Sequence, residues 1–512
     1  MQQKSEFRTP NILPERLYYG GIDIGTSSTK VLILDETGAP CILTSRSYPL
    51  ERPHPGYAEQ DPEAILEAVI EALREALTRI GPRALAALGF SSAMHSVVLL
   101  DEALNPFTPV ITWADARSEA EASQLRRTAV GQDIFRKTGT PIHPMAPLSK
   151  LIWMQNQRPG WLAHAHKIVS IKEYVLFGLF GELVVDHSIA SATGLFDLFQ
   201  REWYPPALQA AGIRVEQLSE PVPTGHRLPP MLAAYADRIG IAPETPCIVG
   251  ASDGCLANLG VFAVKPTEAA LTIGTSGAIR VTTRDPKTDE QGRLFTYLLD
   301  DEHVVIGGAI NNGGIMLQWF QKQLLGPCDG EVDLAALLRE AGALPAGCDG
   351  LLCLPYLLGE RAPHWNSFDR GVFFGVQFHH TSIHFLRAIL EGISLTLRQI
   401  MEALEETCGP IELVHVNGGF VQSPEWLQIL ADVLGKDLAI SATREASATG
   451  AAYMAMQALG KPLTEIAPGA PGEQEALRRI HPNPTTHQVY DRLVPVFQDL
   501  YTKLHPEFVR LP

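Results

Sequence analysis

Two stretches of this chain, 249 residues apart (274 − 25), carry the same join of strand to turn, and that join constrains the fold more than any other feature. In the first, Tyr18-Tyr19-Gly20-Gly21-Ile22-Asp23-Ile24 reads as a buried strand entering Gly25-Thr26-Ser27. In the second, Ala269-Ala270-Leu271-Thr272-Ile273 enters Gly274-Thr275-Ser276-Gly277. A further strand-like run follows each, at 30–34 and 279–282. Strand, Gly-Thr-Ser turn and strand recurring at about half the chain length predict one unit duplicated and facing its copy. Two copies alone are also compatible with chance.

The turns carry chemistry as well as topology. A strand that stops at Gly-Thr-Ser presents backbone N–H groups in a concave nest, which binds phosphate oxygens without side-chain charge. Around the first turn Thr26, Ser27, Ser28 and Thr29 add hydroxyls, and Lys30 adds a cation. Asp23, at the strand end, is placed to hold Mg²⁺ directly or through water. One such turn alone reads equally as an ordinary tight turn. There is no G-x-x-x-x-G-K-[ST] run, so a P-loop kinase is excluded. Asp253 in Val249-Gly250-Ala251-Ser252-Asp253-Gly254 is the second candidate: an apolar strand, 247–249, delivers a carboxylate into a Gly-flanked turn. Phosphoryl transfer to an alcohol needs an acceptor for the hydroxyl proton. A lone Asp in a turn also serves as an Asx-turn former, and both readings stand at this point.

The elements between these motifs predict an α/β fold. Asp61 as N-cap, Pro62 at the first helical position, an apolar stripe from Ile65 to Ile80 and Gly81 as terminator define a helix. A strand at 86–90 runs into Ser91-Ser92-Ala93-Met94-His95, and 97–100 is extended again. The stretch 258–267 looks like a domain junction. Beyond it, a strand near 414–416 leads to Gly418-Gly419. A helix starts at Ser423-Pro424 and stops at Gly435, an Ala-rich helix covers 447–459, and a closing helix covers 486–504.

At 512 residues the chain exceeds one hydrophobic core, so two domains are expected. Its 46% hydrophobic and 19% charged residues are those of a globular protein. The net charge, 41 − 57 = −16, argues against nucleic acid or an anionic membrane as partner, and requires local cations or dipoles for any anionic substrate. Seven cysteines without C-x-x-C spacing point to a reducing compartment, the cytoplasm, rather than to disulfides or zinc. No apolar run approaches the roughly 18–20 residues of a membrane span. Residues 1–16, polar and containing Pro10 and Pro14, read as a loose tail and not a signal peptide.

Longer motifs then carry a resemblance. Met145-Ala146-Pro147-Leu148-Ser149-Lys150-Leu151-Ile152-Trp153-Met154-Gln155-Asn156-Gln157 resembles the first signature of the FGGY carbohydrate kinases. Gly371-Val372-Phe373-Phe374-Gly375-Val376 with His384-Phe385-Leu386-Arg387-Ala388-Ile389-Leu390-Glu391 resembles the second. Tyr356-Leu357-Leu358-Gly359-Glu360-Arg361-Ala362-Pro363 and Gly418-Gly419 fit the same family. The resemblance implies two actin-like (ribonuclease H-like) domains with ATP and substrate in the cleft between them. The expected division is a tail at 1–16, an N-terminal domain at 17–257 with the substrate and first phosphate loop, a nucleotide-binding C-terminal domain at 258–465, and a helical extension at 466–512. It implies that Gly25, Thr26, Ser27, Ser28 and Lys30 form the first phosphate loop and Gly274 and Thr275 the second. Gly314, Leu317 and Gln318 form the nucleotide-side wall, and Gly419 and Ser423 contact adenosine. Ser423 stands where glycerol kinases carry an Asn, and its role as a helix N-cap is the other reading. Asp253 becomes the catalytic base and, with Asp23, the Mg²⁺ site.

Met94-His95 stands where glycerol kinases have Arg-Glu, which disfavours glycerol. Ser91 to Val97, Ile111 to Ser118 and Thr138 to Lys150 resemble the gluconokinase branch of the family. The implied reaction is ATP-dependent phosphorylation of D-gluconate at the C6 hydroxyl, giving 6-phospho-D-gluconate and ADP. Expected around the acceptor are Met94, His95, Trp113, Asp115, Arg117, His143, Met145 and Asn312. Asp115 and Asn312 suit sugar hydroxyls, Trp113 offers a flat wall, and His95, His143 and Arg117 are donors that could oppose a carboxylate. Structural readings stand beside these: Arg117 paired with Asp115 or Glu119, His143 packing a loop, Trp113 in the core, Lys150 holding a helix. The alternatives are a xylulokinase-like substrate, or a non-catalytic sugar or nucleotide sensor or actin-like chaperone. The domain interfaces of such a fold could support a homodimer, on which no motif bears.

Overall fold

The structure, a computed structural model, describes residues 17–81, 84–325, 333–441, 443–466 and 478–511. The expected tail at 1–16, Cys328 and residues 467–477 lie outside them. In the first half, β1 (Tyr18–Ile24), β2 (Ser28–Asp35) and β3 (Pro40–Ser47) form an antiparallel meander. Helix α1 (Pro62–Ile80) follows, with Asp61 accepting from the Glu63 N–H and Gly81 closing its last turn. Strand β4 (Leu85–Ser92) adds parallel to β1, and β5 (Cys247–Ser252) parallel to β4. The sheet order is β5-β4-β1-β2-β3.

Helix α2 (Asp253–Gly260) then leads into the second half. There β6 (Glu268–Ile273), β7 (Gly277–Thr283), β8 (Phe295–Leu298) and β9 (Val304–Ile310) are antiparallel neighbours. After the long helix α3 (Ser382–Cys408), β10 (Leu413–Asn417) adds parallel to β6. Helix α4 (Pro424–Leu434) follows, and β11 (Asp437–Ile440) adds parallel to β10. The strands β9-β7-β6-β10-β11 thus repeat the order and directions of β3-β2-β1-β4-β5, with β8 added at one edge. The recurrence of the Gly-Thr-Ser join therefore reflects two sheets of one topology. Each turn joins the first two strands of its sheet.

The halves are interlocked rather than merely linked. Helix α5 (Ala446–Ala458) belongs to the second half in sequence but packs on α2, β1 and β4 of the first. Small residues permit this approach. A Cβ on Gly21 would lie 1.8 Å from the Ala448 carbonyl oxygen, and one on Gly89 2.1 Å from that of Ala451. Beyond the expected domain limit, β12 (Arg479–Ile480) pairs with β11 and α6 (Pro484–Phe508) packs on α4. No helix among the described residues is long and apolar enough to cross a membrane.

Candidate active site

Strand β5 sets the position of Asp253. Its pairing with β4 slips between Ile248 and Ala251, and Gly250 sits there at φ 71°. A Cβ on Gly250 would lie 1.9 Å from the Phe90 carbonyl oxygen, so the irregularity requires glycine. Lys172 fixes the strand end. Its Nζ donates to Asp186 at 2.7 Å and to the Ala251 carbonyl at 3.1 Å, all three deeply buried. The Ser447 hydroxyl at the start of α5 donates to the Asp253 carbonyl at 3.0 Å. The carboxylate Oδ1 accepts from the Gly254 N–H at 2.7 Å. Burial raises its pKa above that of a free carboxylate, while Arg280 and the Gly254 N–H oppose the rise.

Asp23, at the end of β1, lines neither of the cavities described below but feels the charge of Asp253. Ser91 donates to its Oδ1 at 2.8 Å, and burial together with the Asp253 charge pushes its pKa up to about 7. A cation between two such carboxylates would remove both the repulsion and part of the desolvation, so this pair fits a divalent ion. Among the described residues no group of three or more His, Cys, Asp or Glu could hold a metal. Mg²⁺ takes one or two carboxylates and completes its shell with water and substrate phosphate. Lys30 is committed elsewhere: its Nζ reaches Glu445 of the second half at 2.6 Å.

Two cavities meet at the second turn. One, of about 290 Å³, is lined by Thr26, Met94, His95, Trp113, Met145 and Asp253 from the first half, and by Gly274, Arg280, Tyr297, Arg361 and Trp365 from the second. The other, of about 610 Å³ and mostly apolar, is lined by Gly274, Gly314, Leu317, Gly419, Phe420 and Ser423, among others. Gly274 borders both. The first turn is held by the Tyr48 hydroxyl on the Gly25 carbonyl (2.6 Å), Gln60 on the Thr26 carbonyl (2.7 Å) and Trp113 Nε1 on the Thr26 hydroxyl (2.7 Å). The second is held by the N–H groups of Gly313, Gly314 and Ile315 on the carbonyls of Thr275 and Gly274. A Cβ at Gly314 would lie 2.8 Å from the Gly274 carbonyl oxygen.

His95 stands at φ 68°, held by Lys150, whose buried Nζ donates to the carbonyls of His95 (2.9 Å) and Met145. The Ala192 carbonyl, 2.7 Å from Nδ1, can only accept, so Nδ1 carries the hydrogen. Nε2 is then an acceptor, 3.5 Å from the Tyr297 hydroxyl. Burial and the Lys150 charge lower the His95 pKa to about 3. The expectation of His95 as a donor to an anion is corrected accordingly: the ring is neutral and offers an acceptor.

Four residues expected around the acceptor do not border the cavity. Asp115 accepts from the Ala58 N–H and from Arg117. Arg117 is bound between Asp115 (2.7 Å) and Glu59 (2.5 Å) and lies 3.7 Å over the Tyr57 ring. These ion pairs tie both residues to the loop behind Trp113. Asn312 is spent on Gly359, Glu360 and the Leu358 N–H. His143 is buried with its pKa well below the usual value, accepts from the Met145 N–H, and packs edge-on behind Trp365. Of the residues expected at the nucleotide, Gly25, Ser27 and Ser28 form the first turn without lining either cavity, and Thr275 forms the second. Gln318 is exposed on the short helix Ile315–Trp319. Ser423 lines the apolar cavity and also caps α4, accepting from the Trp426 N–H at 3.2 Å.

Arg280, Tyr297 and Trp365 border the cavity but fall in none of the motifs. They come from separate segments and converge only in the fold. The available signal was a lone arginine inside the apolar strand Gly277–Thr283. Arg361 lies within the Gly359-Glu360-Arg361-Ala362-Pro363 stretch, which by itself assigns it no role.

Residues 18–260 match the N-terminal domain of the FGGY family of carbohydrate kinases, and residues 269–459 its C-terminal domain. Gluconokinase of Bacillus subtilis is 43% identical over 454 residues, 87% of this chain and 88% of that protein. The crystal structure of gluconate kinase from Lactobacillus acidophilus superimposes with a TM-score of 0.90 at 33% identity, covering 97% of this chain and all of that one. The ligand-bound xylulose kinase of the same organism superimposes equally, with a TM-score of 0.90 at 34% identity over 96% of this chain and 99% of that one. Two like sheets, two turns meeting at one cleft and matches through both halves lead to one placement: the chain belongs to the FGGY family of carbohydrate kinases.

Proposed function

We propose that the protein transfers the γ-phosphoryl group of ATP to the C6 hydroxyl of D-gluconate. The observation that carries this reading is the junction at Gly274, where a nucleoside-sized apolar cavity meets a polar one containing Asp253. The adenosine lies along Gly314, Leu317, Gly419 and Ser423. The phosphates pass the two Gly-Thr turns, of which Thr26 and Gly274 border the cavity of Asp253. The acceptor occupies the smaller cavity against Trp113, Met94 and Met145. Asp253 accepts the proton of the attacking hydroxyl, and its raised pKa brings it nearer the operating pH. Asp23 and Asp253 would hold Mg²⁺, which supplies charge neutralisation at the phosphates when bound. Helix α5 joins the two halves next to this site, through Lys30–Glu445 at its start and Ser447 on the Asp253 carbonyl.

Gluconate is favoured by the 43% identity to a gluconokinase, and a xylulose-like acceptor is the second reading, favoured by the equal superposition on a xylulose kinase. ADP release measured across D-gluconate, D-xylulose, D-ribulose and glycerol tests the choice. Turnover led by gluconate is expected. A signal with xylulose and none with gluconate would reverse it.

A further inference from the structure

Arg280 is a cation placed where the fold supplies it few partners. It sits on β7 opposite Gly307 of β9, and a Cβ on Gly307 would come within 2.8 Å of the Arg280 Cγ, so the glycine makes room for the stem. The guanidinium ends beside the residue after Asp253: a Cβ on Gly254 would lie 3.4 Å from Arg280 Nε. Both Nε and Nη1 are buried and have no hydrogen-bond partner among the described residues. Leaving such donors unmade is costly, and it marks a group whose partner arrives with a ligand.

Arg361 borders the same cavity. Its Nη2 donates to the Ile310 carbonyl at 2.9 Å, its guanidinium lies 4.9 Å from the Trp113 ring centroid, and its Nε is buried without a partner. Each of the two arginines has lost some of its preference for charge through burial, and Arg361 also feels the repulsion of Arg280. An anion between them would relieve the repulsion and fill the missing hydrogen bonds. On the proposed reading the transferred phosphoryl passes Thr26 and Gly274. A neutral ketose can accept hydrogen bonds from two guanidinia but brings no charge to answer theirs, whereas an aldonic acid brings a carboxylate. Arg361 has its carbonyl and its ring to hold it without substrate, while Arg280 has neither.

We propose that Arg280 is the residue that selects an acidic acceptor over a neutral one, its guanidinium receiving, with that of Arg361, the carboxylate of an aldonic acid. This rests on the reading of the protein as an aldonate kinase. The carboxylate accepts charge-assisted hydrogen bonds from the fork while the far hydroxyl of the same molecule lies at Asp253. No bond is made or broken at Arg280.

The test compares D-gluconate with D-gluconamide, in which a neutral amide replaces the carboxylate, using the whole chain with ATP and Mg²⁺. The quantity read is the ratio of kcat/KM for acid to amide. In Arg280→Met, which keeps the stem and removes the charge, the ratio should fall about 100-fold or more from its wild-type value. Arg280→Lys, which restores charge without the fork, should fall between. Thermal melting of each variant verifies folding, and calorimetric titration of gluconate without nucleotide should show the same loss of acid binding. An unchanged ratio, with acid and amide losing equally, would overturn the proposal and make Arg280 a group acting on Asp253 or the phosphoryl. A wild-type enzyme that prefers a neutral ketose to every aldonic acid would instead overturn the underlying reading, and the proposal with it.

Discussion

Replacing Asp253 by Asn separates chemistry from stability, because the structure predicts opposite effects on the two. The amide keeps the volume of the carboxylate, and its oxygen can still accept from the Gly254 N–H. It cannot take the proton of an acceptor hydroxyl. Loss of a general base costs roughly 10²–10⁴ in rate, or about 2.7–5.4 kcal/mol at 1.36 kcal/mol per tenfold. Stability should move the other way. Burial outweighs the attraction of Arg280 and the Gly254 N–H, so the folded-state pKa of Asp253 is raised. A raised carboxylate pKa means that the folded state holds its proton to higher pH than the unfolded chain. The penalty for ionising Asp253 then builds up as pH rises from about 4 through the folded-state value and is complete above it. The variant should therefore melt no lower than the wild type at pH 8, and its advantage should shrink towards pH 4. Coupled ADP release gives the rate, scanning calorimetry the melting temperature, and titration with a non-hydrolysable ATP analogue the nucleotide affinity, which should be retained. Turnover within tenfold of wild type would refute Asp253 as the base. A melting temperature several degrees lower at pH 8 would refute the account of its burial.

Three further outcomes are expected. The acid limb of kcat/KM for the acceptor should lie above the range of a free carboxylate, because both Asp23 (about 7) and Asp253 are raised, and added Mg²⁺ should move it downward; a midpoint near 4, insensitive to Mg²⁺, would contradict this. Gly21→Ala should destabilise the fold by at least ~1–3 kcal/mol in urea titration, since its Cβ would lie 1.8 Å from the Ala448 carbonyl oxygen. Lys172→Met should cost about 3–5 kcal/mol by the same measurement, because it leaves the buried Asp186 carboxylate unpaired beneath the strand that carries Asp253.

Features written in contiguous residues were legible in the sequence. The duplicated sheets show in Gly25-Thr26-Ser27 and Gly274-Thr275-Ser276, because the phosphate turn and the first strand pair are adjacent in sequence. Helix limits at Asp61-Pro62 and Ser423-Pro424 were readable because capping is local. What escaped was set by packing between distant segments. The Ala-rich helix at 446–458 was foreseeable as a helix, but its seat on β1 and β4 depends on Gly21 and Gly89 lying opposite it. The polar half of the acceptor cavity shows the same limit. Asp115, Arg117 and Asn312 have the chemistry for sugar hydroxyls, yet their neighbours Glu59, Ala58 and Glu360 take up that capacity. Arg280 falls in no motif, and only the fold shows its Nε and Nη1 buried without a hydrogen-bond partner among the described residues.

The most direct test of the whole account is the identity of the product. ATP, Mg²⁺ and D-gluconate should give ADP and a phosphomonoester in one-to-one amounts, with the phosphorus resonance split by the two C6 protons. Absence of any ester on gluconate, with D-xylulose phosphorylated by the same preparation, would contradict it.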